Sequence, residues 1–96
     1  MHRVEWSIRA LADLDRLDAF LFAKNPRAAD AAIDAIMAAA EELRHFPLIG
    51  HSLSDEDSEY RELAIPFSNS GYVLLYRWAD ETVEIQAVKH MREAGY

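Results

Sequence analysis

The sequence predicts an α+β fold in which a mostly antiparallel sheet packs against an N-terminal helical hairpin, in the order β-α-α-β-β-β. The run 72–78 is apolar at nearly every position, which is typical of a strand covered on both faces. Runs 60–67 and 82–88 alternate between apolar and polar residues, as half-buried strands do. Such a meander cannot bury its apolar face alone, so the helices that precede it must cover the sheet.

The chain begins with a short strand that joins this sheet. Within residues 2–8, Val4, Trp6 and Ile8 alternate with polar residues and would share one strand face. We expect Ser7 to end the strand and to cap the helix that follows.

Two helices are predicted between residues 8 and 44. The first extends to Lys24, and its apolar stripe consists of Ala10, Leu14, Leu17 and Leu21. Asn25-Pro26 places a favoured N-cap residue before a proline at the first helical position, so a second helix starts almost at once. This second helix is rich in alanine, and small side chains let two helices approach closely.

The connections are predicted from turn-forming residues. Phe46-Pro47 ends the second helix, and we expect Leu48 and Ile49 in the loop that follows to tuck under the sheet. Residues 54–59 form an acidic loop, which we interpret as a solvated connection. In the last strand, the alternation predicts Val83, Ile85 and Ala87 on one face.

Length and composition indicate one domain that spans residues 1–96. The chain is 51% apolar and contains no cysteine, which excludes disulfides and thiolate metal sites. Its four histidines show no metal-ligand spacing, so we expect neither a metal nor another cofactor. No apolar run reaches the roughly 18 residues of a membrane span, and we expect a cytoplasmic protein without membrane contact.

The net charge argues against non-specific binding to nucleic acid. Seventeen acids oppose ten bases, which gives a formal charge of −7. Because such binding depends on neutralising phosphates, any nucleic-acid contact would need a local basic patch.

Six short sequence motifs are spread over essentially the whole chain. They are Ala12-Asp13-Leu14, Asn25-Pro26 with Ala28-Ala29, Phe46-Pro47 with Gly50, Tyr60-Arg61-Glu62-Leu63, Tyr72-Val73-Leu74-Leu75-Tyr76-Arg77, and Val88-Lys89-His90-Met91-Arg92-Glu93. Together with the element order, they resemble the RelE/ParE family of toxins from type II toxin-antitoxin systems.

The central strand resembles the ParE branch of that family. RelE-like members are ribosome-dependent ribonucleases, and an arginine usually follows the first tyrosine of the motif in their central strand. Here Val73 occupies that position. The resemblance therefore implies a ParE-like toxin, a branch known chiefly for poisoning DNA gyrase, and the acidic charge points the same way.

The family resemblance also implies partners. A cognate antitoxin is expected to wrap a helix, and often an extended strand, over the toxin in a hetero-oligomer. We expect growth inhibition through DNA gyrase by binding rather than by catalysis. The alternatives are a ribosome-dependent mRNA endonuclease, with the ribosome and mRNA as partners, and a degenerate toxin that only binds its antitoxin.

Five residues are candidates for target binding or toxicity. They are Arg61, Arg77, His90, Arg92 and Tyr96. Metal-free RNA cleavage needs a base, an acid and cationic donors. In the endonuclease alternative the arginines would be the donors, and His90 with Tyr96 or Glu62 would carry protons.

Each candidate also has a structural interpretation. Arg61 would lie at the margin of the helix-covered face or reach over a sheet edge, and it would pair with a nearby acid. Arg77 would stack beside Trp78 or pair with Glu84. For His90 we favour a hydrogen bond that fixes the last strand to the segment after it.

Tyr96 ends the sequence, where a chain is usually frayed, although in this family the segment often lies near the functional surface.

Most of the large aromatic residues are predicted to be core, and those left uncovered would contact an antitoxin. They are Trp6, Phe20, Phe22, Tyr72, Tyr76 and Trp78.

Overall fold

The computed structural model describes residues 2–54 and 59–96, and most of the predicted acidic loop lies outside them. Its elements are β1 (Arg3–Trp6), α1 (Ile8–Phe22), α2 (Pro26–Glu42), β2 (His51–Ser52), β3 (Tyr60–Phe67), β4 (Ser70–Ala79) and β5 (Thr82–His90). One sheet has the strand order β1-β5-β4-β3-β2, in which β1 is parallel to β5 and the other neighbours are antiparallel. The predicted fold is confirmed, with the short β2 as an addition.

The predicted caps start both helices. The Ala10 N–H donates to Ser7 Oγ at 3.0 Å, and the Ala28 N–H donates to Asn25 Oδ1 at 3.2 Å. Because α1 begins at Ile8, this residue is 89% exposed. Its expected place on the strand face with Val4 and Trp6 was therefore wrong.

The two helices pack through small side chains, as predicted. The buried residues of their seam and sheet-facing stripe are Ala10, Leu17, Ala29, Ala32, Ile36 and Ala40. Most of the six large aromatic residues are buried or partly buried, as predicted, whereas Phe20 and Phe22 are 64% and 53% exposed. Within the described residues, no helix is long and apolar enough to cross a membrane.

The helices cover one face of the sheet. Tyr72, Leu74 and Tyr76 point to that face and are buried. Val73 and Leu75 point to the opposite side and are partly exposed. We call these the packed face and the open face. The prediction that β4 is covered on both faces was wrong, because both helices lie on the same side.

A β-bulge changes the pattern of β5. Tyr76 pairs with Ile85 whereas Leu75 pairs with Ala87, so β5 has one extra residue opposite this step. Val83 and Ile85 point to the packed face as predicted, but Ala87 shares the open face with Leu75. The alternation predicted for Ala87 was wrong because a bulge reverses the side on which later residues lie.

The loop between α2 and β2 is held by a buried phenol. Tyr76 Oη donates to the Pro47 carbonyl at 2.6 Å and accepts from the Gly50 N–H at 3.0 Å. A Cβ at Gly50 would lie 2.7 Å from the Tyr76 ring, so glycine permits this approach. Leu48 and Ile49 are 53% and 46% exposed, and the expectation that they tuck under the sheet was wrong.

Side chains close the edge of β5 where β1 no longer pairs with it. Ser7 Oγ donates to the Gln86 carbonyl at 3.0 Å, and Asp13 Oδ2 accepts the Val88 N–H at 2.9 Å. Glu93 Oε1 accepts the His90 N–H at 2.8 Å. Segment 91–96, which follows β5, therefore begins beside α1, where Arg16 pairs with Glu93 at 2.9 Å.

The clamp made by Tyr76 should be visible in stability. Tyr76→Phe leaves the buried Pro47 carbonyl and Gly50 N–H without their partner, so we expect a loss of about 1–3 kcal/mol in the free energy of unfolding, measured with urea. Tyr72→Phe is the matched control, since its hydroxyl has no bond to a described residue. Equal losses in both variants would contradict the clamp.

Glu93 should make stability depend on acid pH. The His90 N–H, and then the Arg16 guanidinium, lower the pKa of Glu93 below its ordinary value of 4.5. A lowered pKa in the folded state contributes stability above pH 4.5 that is lost as the pH falls through the folded value. We therefore expect Glu93→Gln to be less stable than wild type at neutral pH and equally stable in strong acid.

The comparison needs a variant of the same net charge. Glu42→Gln removes an exposed carboxylate on α2 and serves as that control in urea unfolding across the acid range. If the two variants were equally stable at pH 7, the contribution assigned to Glu93 would be refuted.

Candidate functional site

A groove of about 810 Å³ opens between α1, the β3–β4 turn and the start of segment 91–96. The residues that line it are Arg16, Leu17, Phe20, Leu21, Lys24, Ala28, Phe67, Ser68, Asn69, Ser70, Tyr72, His90, Arg92 and Glu93. Its floor is apolar, with Leu17 buried and Phe67 tilted against Tyr72 at 6.0 Å between ring centroids. The groove therefore offers an apolar surface to a partner.

The rim of the groove is cationic, in contrast to the chain as a whole. Arg16, Lys24 and Arg92 line it, and Glu93 is the one acid among the described lining residues. Lys24 Nζ lies 4.2 Å from the centroid of the exposed Phe20 ring. Although the chain carries a formal charge of −7, this groove favours a partner with acidic groups beside apolar ones.

Arg61 holds a loop. It pairs with Tyr76 in register and is half-buried on the packed face. Its Nη1 donates to the Gly50 carbonyl at 2.7 Å. Its position at the margin of the helix-covered face is as predicted, but among the described residues its partner is a carbonyl oxygen rather than the expected acid.

Arg77 lies on the open face at the far end of the sheet. Its Nε donates to Glu59 Oε2 at 2.6 Å, and this hydrogen bond is the main reason that the pKa of Arg77 is raised. Glu84 faces Arg77 in register, yet the bond is made with Glu59. The predicted partners of Arg77, Trp78 by stacking or Glu84 by an ion pair, were therefore wrong.

His90 joins the last strand to the segment after it, as expected. The Arg92 N–H donates to His90 Nδ1 at 3.2 Å, so a neutral ring carries its proton on Nε2. The ring meets Tyr72 edge-on at 5.4 Å. The guanidinium of Arg92 itself is exposed at the groove and forms no bond with the parts of the chain that the structure describes.

Tyr96 is anchored rather than frayed. Its hydroxyl donates to a Glu62 carboxylate oxygen, and its main-chain oxygen accepts from Arg9. Lys89 Nζ lies 4.7 Å from the ring centroid. Burial, together with the bond to Glu62, raises the pKa of Tyr96. The raised pKa makes Tyr96 a poor proton donor to a substrate at neutral pH.

The sheet keeps the candidate residues apart. Arg61 pairs with Tyr76 of β4, and His90 pairs with Tyr72 of the same strand. At about 3.3 Å per residue along β4, Arg61 and His90 therefore lie about 13 Å apart. Arg77 and the Tyr96 hydroxyl are on the open face. Acid, base and cationic donors are therefore not gathered around one position.

The open face is electrostatically balanced. The charged residues that alternation places on it are Arg3, Glu5, Glu62, Arg77, Glu84 and Lys89. The three acids and three bases give no excess of positive charge for a phosphate backbone. Across the described part of the chain, no group of three or more histidine and carboxylate side chains could hold a metal ion.

Two groove residues were not predicted from the sequence. Arg16 and Lys24 flank Phe20 at intervals of four residues, which places all three on one face of α1 and its C-terminal turn. A cation–aromatic–cation stripe beside the apolar stripe was therefore the available signal, and it indicates a helix face that remains exposed for binding.

Comparisons with known proteins agree with this architecture. The family model described as ParE toxin of type II toxin-antitoxin system, parDE, matches residues 4–95. Toxin RelE3 of Caulobacter vibrioides is 39% identical over 93 residues, which cover 97% of this chain and 98% of the relative.

Two solved structures share the fold. The chromosomal ParDE toxin-antitoxin system from P. aeruginosa matches with a TM-score of 0.76 and 20% identity, over 94% of this chain and 96% of that chain. The toxin-antitoxin complex RelBE2 from Mycobacterium tuberculosis matches with a TM-score of 0.62 and 28% identity, over 93% and 96% of the respective chains. The chain therefore belongs to the ParE toxin family of type II toxin-antitoxin systems.

Proposed function

We propose that this toxin inhibits DNA gyrase by binding to it, and that a cognate antitoxin neutralises it in the cytoplasm as part of a hetero-oligomer. The separation of the candidate catalytic residues carries this proposal. Arg61 is engaged with a loop carbonyl and His90 with the Arg92 N–H. A protein without a gathered set of proton carriers acts more readily by occupying a target than by cleaving one.

The charges of the sheet support binding over RNA cleavage. An mRNA endonuclease stabilises negative charge on a phosphorane with concentrated cations. The open face has as many acids as bases, and Val73 stands where RelE-like toxins usually carry an arginine. Both features favour a target recognised through protein surfaces.

The second candidate is a ribosome-dependent mRNA endonuclease. The 39% identity to a protein named Toxin RelE3 favours it. In that mechanism Arg61, His90 and Arg92 would act on RNA, with Tyr96 or Glu62 as a further proton carrier. A rearrangement that frees Arg61 and His90 from their present bonds would be required first. A toxin that has lost activity and only binds its antitoxin is the third candidate.

We place the antitoxin on the groove. An antitoxin helix with apolar residues on one side and acids at its margins would fill the floor around Leu17 and meet the cations Arg16, Lys24 and Arg92. Electrostatic complementarity of this kind raises the association rate and fixes the register of the partner. An extended antitoxin segment would continue along the sheet.

Expression of the chain alone in bacteria should separate the target hypotheses. We expect growth arrest with a DNA damage response and intact mRNA, and inhibition of supercoiling when the chain is added to purified gyrase. Codon-phased mRNA cuts with unaffected supercoiling would instead establish the endonuclease. An absence of any growth effect, together with antitoxin binding, would identify the degenerate toxin.

Charge reversal at the groove should weaken the antitoxin complex. We expect Lys24→Glu and Arg92→Glu each to raise the Kd for the cognate antitoxin by about tenfold or more, mainly through slower association, because they introduce like-charge repulsion. Arg27→Glu makes the same change at an exposed residue of α2 that does not line the groove, and is the control. Titration calorimetry at two salt concentrations measures the effect. If Arg27→Glu weakened the complex equally, the antitoxin would not occupy this groove.

A further inference from the structure

Segment 91–96 leaves the end of β5 beside α1 and forms neither a helix nor a strand of its own. The Glu93 N–H donates to the His90 carbonyl at 3.0 Å, which starts a turn, and Glu93 pairs with Arg16. Gly95 has a φ of 64°, in the left-handed region that glycine favours. The chain reverses here, and the side chain of Tyr96 returns over the sheet.

Tyr96 connects three elements of the fold. Its hydroxyl donates to Glu62 in β3, its ring lies against Lys89 Nζ in β5, and its main-chain oxygen accepts from Arg9 in α1. These contacts lie at the surface, and Tyr96 remains 42% exposed. Burial and the bond to Glu62 also keep the pKa of the phenol raised, so the donor proton is present throughout the physiological range.

The open face is apolar between Glu62 and Lys89, the two residues that contact the Tyr96 side chain. Glu62, Leu75 and Ala87 form one row across β3, β4 and β5 on the open face. Glu62 holds one end of the Tyr96 side chain and Lys89, two residues beyond Ala87, holds the other. Among the described residues no helix packs on this face, yet Ala87 is 1% exposed, which is expected if the ring lies over it.

The segment is weakly attached between Glu93 and Tyr96. Ala94 and Gly95 are exposed, and a Cβ at Gly95 would meet nothing within 4 Å. Segments with few buried contacts open with less free energy than the whole fold requires. Loss of the contacts at Tyr96 would therefore release the segment while the core of the sheet stays folded.

We propose that segment 91–96 is a latch, in which the bond from Tyr96 to Glu62 closes the segment over the apolar row of Leu75 and Ala87. The chain has a closed state with this row covered and an open state with it exposed. This inference goes beyond the proposed function, since it concerns the toxin alone and holds for either cellular target.

A single thiol can report the opening of the latch. The chain contains no cysteine, so Ala87→Cys in the full-length toxin places one reactive group under the ring. We expect a thiol reagent to label this variant slowly, and to label it about tenfold faster when Tyr96→Phe or Glu62→Gln is added, because a hydrogen bond to a charged acceptor is lost. Since one change removes the donor of this hydrogen bond and the other removes the charge of its acceptor, the two together should give little further acceleration.

The control for the labelling experiment is Glu42→Gln in the Ala87→Cys background. It removes the same charge away from the latch and should leave the labelling rate unchanged.

A second measurement uses the chain without cysteine. Amide hydrogen exchange at Glu93 should accelerate by a similar factor in Tyr96→Phe, while exchange at Leu74 in the core stays constant. Labelling and Glu93 exchange that do not respond to Tyr96→Phe or Glu62→Gln would overturn the proposal. Labelling of the parent variant as fast as a free thiol would overturn it as well.

Discussion

The buried hydroxyl of Tyr76 is the contact on which the edge of the sheet depends. It bonds to a carbonyl and to an N–H of the loop between α2 and β2, and thereby ties that loop to the central strand. Arg61 holds the Gly50 carbonyl from the neighbouring strand. These two side chains bring the chain to the outer side of β3, where His51 and Ser52 form β2. Arg61, a candidate for target binding or catalysis, therefore also stabilises the loop between α2 and β2.

The packed face and the open face of the sheet differ in what they contact. Helices cover the packed face, and the groove at their end joins an apolar floor to a cationic rim. The open face carries alternating charges, with the Tyr96 ring tied across it. Arg16 and Glu93 line the groove, and their ion pair also fixes the start of segment 91–96. A partner in the groove therefore contacts residues that position the segment on the other side.

Much of the fold was predictable because local signals agreed with one another. Ser7 and Asn25 mark the helix starts, and the apolar stripes of both helices face the sheet as their spacing indicates. The errors arose where tertiary contacts decide. The alternation in β5 gives no sign of a bulge, so Ala87 was assigned to the wrong face. Of the site, the sequence supplied His90 and its bond to the following segment, whereas the partners of Arg61, Arg77 and Tyr96 lie far away in the chain and depend on the folded register.

The side chains that close β5 have a further consequence. A strand edge with free N–H and carbonyl groups is a template on which another chain can extend the sheet, and proteins avoid aggregation by blunting such edges. Here Ser7, Asp13 and Glu93 bond to the Gln86 carbonyl and to the Val88 and His90 N–H groups, which lie on the β5 edge beyond β1. A toxin molecule separated from its partner thus keeps this edge closed to fibril growth and to domain swapping.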